Sequence, residues 1–194
     1  MQPMRKFILT GTPGSGKTAI LRQLEVDGFS IVEEAATDVI ALWQANGIPE
    51  PWKDVRFIDA IVTVQRQRQL RAANESGETQ FHDRSAVCTA ALARYLGFPI
   101  TEALRAELAR IDAEQIFERR VFFVQNLGFV SHTEARRISY EEALRFEQIH
   151  HKTYREFGFE IVPIDPASLA DRVSRIKAFA ASPEGPISRT EKRL

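Results

Sequence analysis

The chain has 194 residues, 44% of them hydrophobic and 27% charged, which is ordinary globular usage and excludes a disordered or fibrous protein. Its 26 basic and 26 acidic residues cancel, so no global basic field exists to recruit nucleic acid or an anionic membrane. The lone cysteine, Cys88, excludes an internal disulfide and a thiolate metal site and predicts a reducing compartment.

In chain order, Lys6 leads into a short β-rich run at 7–10 that ends at Gly11. That run is too short for a signal-peptide core, and no stretch approaches the ~18 apolar residues of a spanning helix, so a cytoplasmic protein with no membrane association is expected. Further β-rich runs fall at 30–33, 79–82, 121–124 and 160–164, with helical periodicity between them. Strands alternating with helices imply an α/β fold, a parallel sheet with helices on both faces. A helix at 35–46 must stop at Pro49 and Pro51, and another starts near Asp54; together they are expected to form a flap, about 40–75, over a site. Pro99 marks another break. Ala143, Phe146, His150, Thr153 and Phe157 recur at three or four residues, with Gly158 at the C-cap position. Leu169, Val173, Ile176 and Ala180 form the stripe of a last helix, with Ser168 as its N-cap. One domain is expected over 1–181, followed by a polar tail at 182–194 to which no function is assigned.

The strongest motif is Gly11-Thr12-Pro13-Gly14-Ser15-Gly16-Lys17-Thr18, which satisfies G-x-x-x-x-G-K-[ST] directly between a strand and a helix. Its glycines let backbone N–H groups turn inward around a β-phosphate, where the following helix adds its positive end. Lys17 is a compact cation for β and γ oxygens, and the Thr18 hydroxyl is placed for Mg²⁺. Ligands of open parallel sheets bind beyond the carboxyl ends of the strands, so other strand ends share this mouth. Asp83-Arg84-Ser85 ends the third strand: Asp83 can hold Mg²⁺ through water or accept a hydroxyl proton, and Arg84 can clamp an anion. The competing reading is an Asp N-cap with a neighbouring arginine. Of Glu33 and Glu34 at the second strand's end, one should point toward the mouth, because strand side chains alternate. A helix N-terminus would favour acids there in any case. After the fourth strand, Arg136 and Arg137 sit where a lid, about 126–140, could close over the γ-phosphate.

Other residues are expected to be structural. Arg119 and Arg120 lie at the amino end of the fourth strand, away from the mouth, and read as a solvated face. His150 and His151 diverge on their helix and make poor joint metal ligands. Arg66, Arg68 and Arg71 sit in a helix of mixed polarity, which leaves nucleic-acid binding as the minority reading. Trp43, Trp52 and Phe57 suit a small core cluster better than a stacking platform, and Cys88 reads as a packed small hydrophobe.

With these motifs, and the late Tyr154…Gly158 followed by Arg172, the chain over about 5–180 resembles the phosphate-loop NTPase family known as the AAA-28 or NadR/Ttd14-type domain, itself similar to small nucleoside and nucleotide kinases. The resemblance implies a three-layer α/β/α fold with a five-stranded sheet of order 2-3-1-4-5, ATP with Mg²⁺, and a mobile lid that matches Arg136-Arg137. It also implies that the loop at 165–168 borders the adenine. Two departures fall on the acceptor side. Thr37 stands where the family commonly has arginine, and Ala86-Val87-Cys88 replaces a stretch that often carries an acid.

The expected activity is therefore phosphoryl transfer from ATP to a small hydroxyl-bearing, nucleoside-like metabolite. Residues 11–18 hold the triphosphate, Thr18 and Asp83 organise Mg²⁺, Glu34 or Asp83 positions the acceptor, and Arg84 and Arg137 clamp phosphoryl oxygens. The absence of an N-K-x-D run places ATP ahead of GTP. Two alternatives remain open: a regulatory NTPase switch with a protein partner, and a kinase of polynucleotide 5′ ends.

Overall fold

A computed structural model describes residues 4–11, 14–73, 75, 77–126 and 140–182. Five strands, β1 (Arg5–Gly11), β2 (Ser30–Val32), β3 (Thr79–Asp83), β4 (Arg120–Val124) and β5 (Glu160–Ile164), form one wholly parallel sheet in the order β2-β3-β1-β4-β5. The helices are α1 (Lys17–Val26), α2 (Ala36–Ala45), α3 (Arg56–Ala72), α4 (Ala86–Leu96), α5 (Glu102–Ala113), α6 (Tyr140–Glu156) and α7 (Leu169–Ala181), with a 3₁₀ turn at Pro51–Lys53.

Alternation along the strands divides the core. Phe7 and Leu9 of β1 face one side with Phe81, Phe122 and Val162, where Ile20, Leu21 and Leu24 of α1 and Val173 and Ile176 of α7 cover them. Ile8 and Val121 face the other side, beneath α3, α4, α5 and Tyr154 of α6. The result is the α/β/α sandwich that places every strand's carboxyl end on one rim.

Local chemistry starts α7 and stops α6 where the sequence predicts, and it caps α5 as well. The Ser168 hydroxyl accepts from the Asp171 N–H (3.2 Å), and Thr101 caps α5 by accepting from the Leu104 N–H (3.3 Å). At the end of α6 the Phe159 N–H reaches back to the Tyr154 carbonyl (3.0 Å), with Gly158 at the turn. The two prolines do separate α2 from α3, and a cluster of Ala35, Val39, Phe57 and Ile61, packed with Trp43 and Trp52, joins those helices. α3 also sends Ile58 and Val62 into the main core, which anchors it beside the sheet.

One expectation fails. Arg120 is 7% exposed and opens β4, an interior strand between β1 and β5, so it belongs to no solvated face. Arg119 instead lies over the Phe159 ring at 5.5 Å, donates to the Phe157 carbonyl and pairs with Asp112. The expectation assumed that β4 began one residue later. The tail at 183–194 lies outside the described residues.

Candidate functional site

β1 runs into the loop through Gly11, whose φ of 142° lies outside the range L residues favour. A Cβ there would collide with the Val124 carbonyl of β4, so only glycine lets the chain turn at this point. Gly16, at φ 84°, forms the N-cap of α1 with no capping side chain. A helix end left uncapped beneath a glycine loop suits an anion. Lys17 is 6% exposed and its Nζ donates to the Gly11 carbonyl at 3.1 Å, folding the cation across the mouth of the loop. Thr18 is exposed in the first turn of α1. Thr12 and Pro13 fall outside the described residues, as do Arg136 and Arg137 of the expected lid.

Asp83 closes β3, beside β1 and in register with Leu9. It does not cap α4; the Ser85 hydroxyl does, accepting from the Val87 N–H at 3.2 Å, so the N-cap alternative for Asp83 falls away. Thr18 and Asp83 thus stand on the same rim as two hard oxygen donors. That set fits Mg²⁺, which keeps waters and phosphate oxygens as its other ligands. Among the described residues no group of three or more His, Cys, Asp or Glu forms a cage.

Arg84 has φ 73°, a left-handed conformation costing roughly 1–2 kcal/mol for a side-chain-bearing residue. Its N–H is held by the Leu9 carbonyl (3.0 Å), and its Nε donates to Glu34 Oε1 at 2.7 Å. Burial opposes the Arg84 charge, but Glu34, Cys88 and Asp83 outweigh it and raise its pKa. Of the two acids after β2, Glu34 turns to the mouth while Glu33 pairs with exposed Arg22 at 2.6 Å. Thr37, which stands where the resemblance expects arginine, donates to Glu34 Oε2 at 2.8 Å.

Glu34 and Arg84 border a cavity of about 840 Å³ between α2, α3, α4 and α6. Its walls are mainly apolar, including Ile40, Trp52, Phe57, Ile61, Tyr95 and Phe146. Gln65 and Thr89 supply polar groups there. The Thr89 hydroxyl donates to Gln65 Oε1 (2.9 Å), so the carbonyl end of that amide is engaged at the cavity wall. Trp52 and Phe57 therefore serve both the predicted core cluster and the wall.

Behind the rim, Tyr154 OH meets Cys88 Sγ (2.8 Å) and Ser85 Oγ (3.2 Å), and Cys88 Sγ meets Thr10 Oγ1 (3.0 Å). Burial, then the Cys88 thiol, raises the Tyr154 pKa well above its ordinary value, so the phenol stays neutral. Cys88 is packed as expected, but it also ties β1 to α4 and α6. His150 is buried: Nδ1 donates to the Phe146 carbonyl (3.0 Å), and burial followed by the charges of Arg84 and Lys17 pushes its pKa down to about 3.

Four participants have no role assigned from the sequence: Thr37, Tyr154 and Arg172, which enter there only through the family resemblance, and Gln65. Arg172 Nη2 donates to the Ser15 carbonyl (2.5 Å), reaching the phosphate loop from α7. A signal existed for two of them. Arg172 falls four residues before Ile176 on the buried stripe of α7, and Gln65 falls four after Ile61 on α3, where a polar residue on an apolar face asks for a partner.

Comparison with known proteins agrees with this architecture. A family model described as an AAA domain, AAA_28, matches residues 6–172. No curated protein matches the chain by sequence. Among solved structures, a deoxyadenosine kinase from M. mycoides with dCMP and dCDP bound aligns at TM-score 0.61 and 14% identity, covering 90% of this chain and 98% of that one. The same enzyme with dATP aligns at 0.59 and 15%, covering 91% and 100%. NadR in complex with NAD and AMP-PNP aligns at 0.67 and 16%, covering 95% of this chain and 52% of that one. These likenesses show a phosphate-loop, kinase-like fold.

Proposed function

The chain belongs to the AAA domain family that matches residues 6–172, and on that footing we propose that it is a nucleoside-kinase-like phosphotransferase using MgATP. The observation that carries this reading is the cavity of about 840 Å³ whose polar end, Glu34 and Arg84, lies on the same rim as the phosphate loop. A regulatory switch needs no such second compartment, and a chamber bordered by strand-end residues supports an acceptor site. Nucleotide binding by the deoxyadenosine kinase and NadR structures points the same way.

Bound MgATP supplies the phosphoryl group. Lys17 neutralises charge on the terminal phosphates, and Thr18 and Asp83 hold the hydrated metal. Glu34, fixed by Arg84 and Thr37, accepts the acceptor's hydroxyl proton as its oxygen bonds to the γ-phosphorus and the bond to ADP breaks. The apolar walls take the body of the acceptor, and the Gln65 NH₂ group donates to it. Arg137, outside the described residues, is assigned to the phosphoryl oxygens, and the loop at 165–168, beyond β5, to the adenine.

The test is ADP release from MgATP across a panel of nucleosides, nucleotides and other alcohols, with Lys17→Ala as blank. A rise with one class, absent in the variant, is expected. A slow rate indifferent to every acceptor would overturn the reading in favour of a switch.

A further inference from the structure

Arg172 is 5% exposed, yet no carboxylate pairs with it among the described residues. Its hydrogen bond goes to the Ser15 carbonyl, and its Nε is buried with no partner. Nη1 lies 3.0 Å from where a Gly16 Cβ would stand, so the bare glycine leaves the guanidinium close against the loop backbone. The Ser15 hydroxyl, also buried, has no partner either. Burial pushes the Arg172 pKa below its ordinary value without approaching neutrality at any physiological pH. A charge so placed costs free energy unless an anion answers it.

We propose that Arg172 is a positioning residue of the phosphate loop, holding a standing positive charge against Ser15 and Gly16 whose balancing anion is the nucleotide's phosphate. This rests on the reading of residues 11–18 as a nucleotide-phosphate loop. A hydrogen bond to the Ser15 carbonyl orients that peptide, and the charge behind Gly16 adds to the field that Lys17 and the start of α1 present from other directions. α7 thereby becomes part of the nucleotide site.

Titration of MgADP against wild type, R172K, R172Q and R172M tests this, alongside KM for ATP and kcat with a productive acceptor. R172Q keeps a donor for the Ser15 carbonyl without the charge, R172M keeps bulk alone, and R172K keeps the charge. Thermal melts without nucleotide establish that each variant folds, and R172Q carries the test should R172M not fold. The neutral variants are expected to bind MgADP about tenfold more weakly or worse, with KM for ATP raised and kcat little changed, while R172K stays near wild type. Unchanged affinity in the neutral variants would overturn the inference, and so would equal loss in all three, which would mark a packing role. Wild type that fails to bind MgADP would overturn the phosphate-loop reading and this one with it.

Discussion

Two buried histidines should make the protein acid-labile well above the pH at which its carboxylates protonate. His82, 3% exposed in β3, is pushed down to about 3 by burial and by Lys6, and its Nε2 sits 2.8 Å from Gln80 Oε1. His150, 1% exposed, is pushed down to about 3 by burial and then by Arg84, Lys17 and other neighbours. Both stay neutral in the folded chain, whereas in the unfolded chain they take up protons below about 6.5. Stability from this source is complete above that value and is lost as the pH falls from about 6.5 toward 3. At pH 5 each histidine costs about 2 kcal/mol, and any folded value at or below about 4 gives the same figure. The pair removes about 4 kcal/mol from the roughly 5–15 kcal/mol typical of a domain. Urea denaturation between pH 7.5 and 5 should show that loss, and His150→Asn should recover about half of the pH dependence whatever its effect at pH 7.5. Wild-type stability that is flat over this interval, or a variant with the wild-type slope, would refute the reasoning.

Four further outcomes are expected. Glu34→Gln should lower kcat by about 10²–10⁴ while MgADP affinity stays near wild type, read by steady-state kinetics and titration. Gly11→Ala should destabilise the fold by several kcal/mol, on the order of an overpacked core, because its methyl meets the Val124 carbonyl; denaturant melts read it. Tyr154→Phe should cost about 1–3 kcal/mol by stripping the hydroxyl that joins Ser85 and Cys88, again by denaturant melts. Arg84→Gly should relieve about 1–2 kcal/mol of backbone strain but destabilise the fold overall, because it leaves the part-buried Glu34 carboxylate without its partner, and it should lower kcat, since Glu34 is then no longer held; denaturant melts and steady-state kinetics read the two effects.

The sequence carried the layer architecture because its signals are local. Strand alternation, the proline break between α2 and α3, and the Ser168 cap each act within a few residues. The phosphate loop was legible for the same reason, since a contiguous glycine pattern dictates a contiguous cradle. What the sequence did not carry is set by contacts between distant segments. Arg84 is left-handed while its N–H reaches the Leu9 carbonyl of another strand, Arg120 is buried because β5 pairs outside β4, and Arg172 meets Ser15 across most of the chain. The cavity likewise needs four helices to be placed before its walls exist. Trp52 and Tyr95 are ordinary aromatics until then.

In the proposed reaction the terminal phosphoryl group of ATP reaches a hydroxyl held in the cavity between α2, α3, α4 and α6. The most direct measurement follows γ-labelled ATP with Mg²⁺ and a nucleoside panel and separates phosphorylated acceptor from inorganic phosphate. Label is expected in a nucleoside monophosphate, lost in both Lys17→Ala and Glu34→Gln. Label appearing only as inorganic phosphate, with every nucleoside untouched, would contradict that reaction.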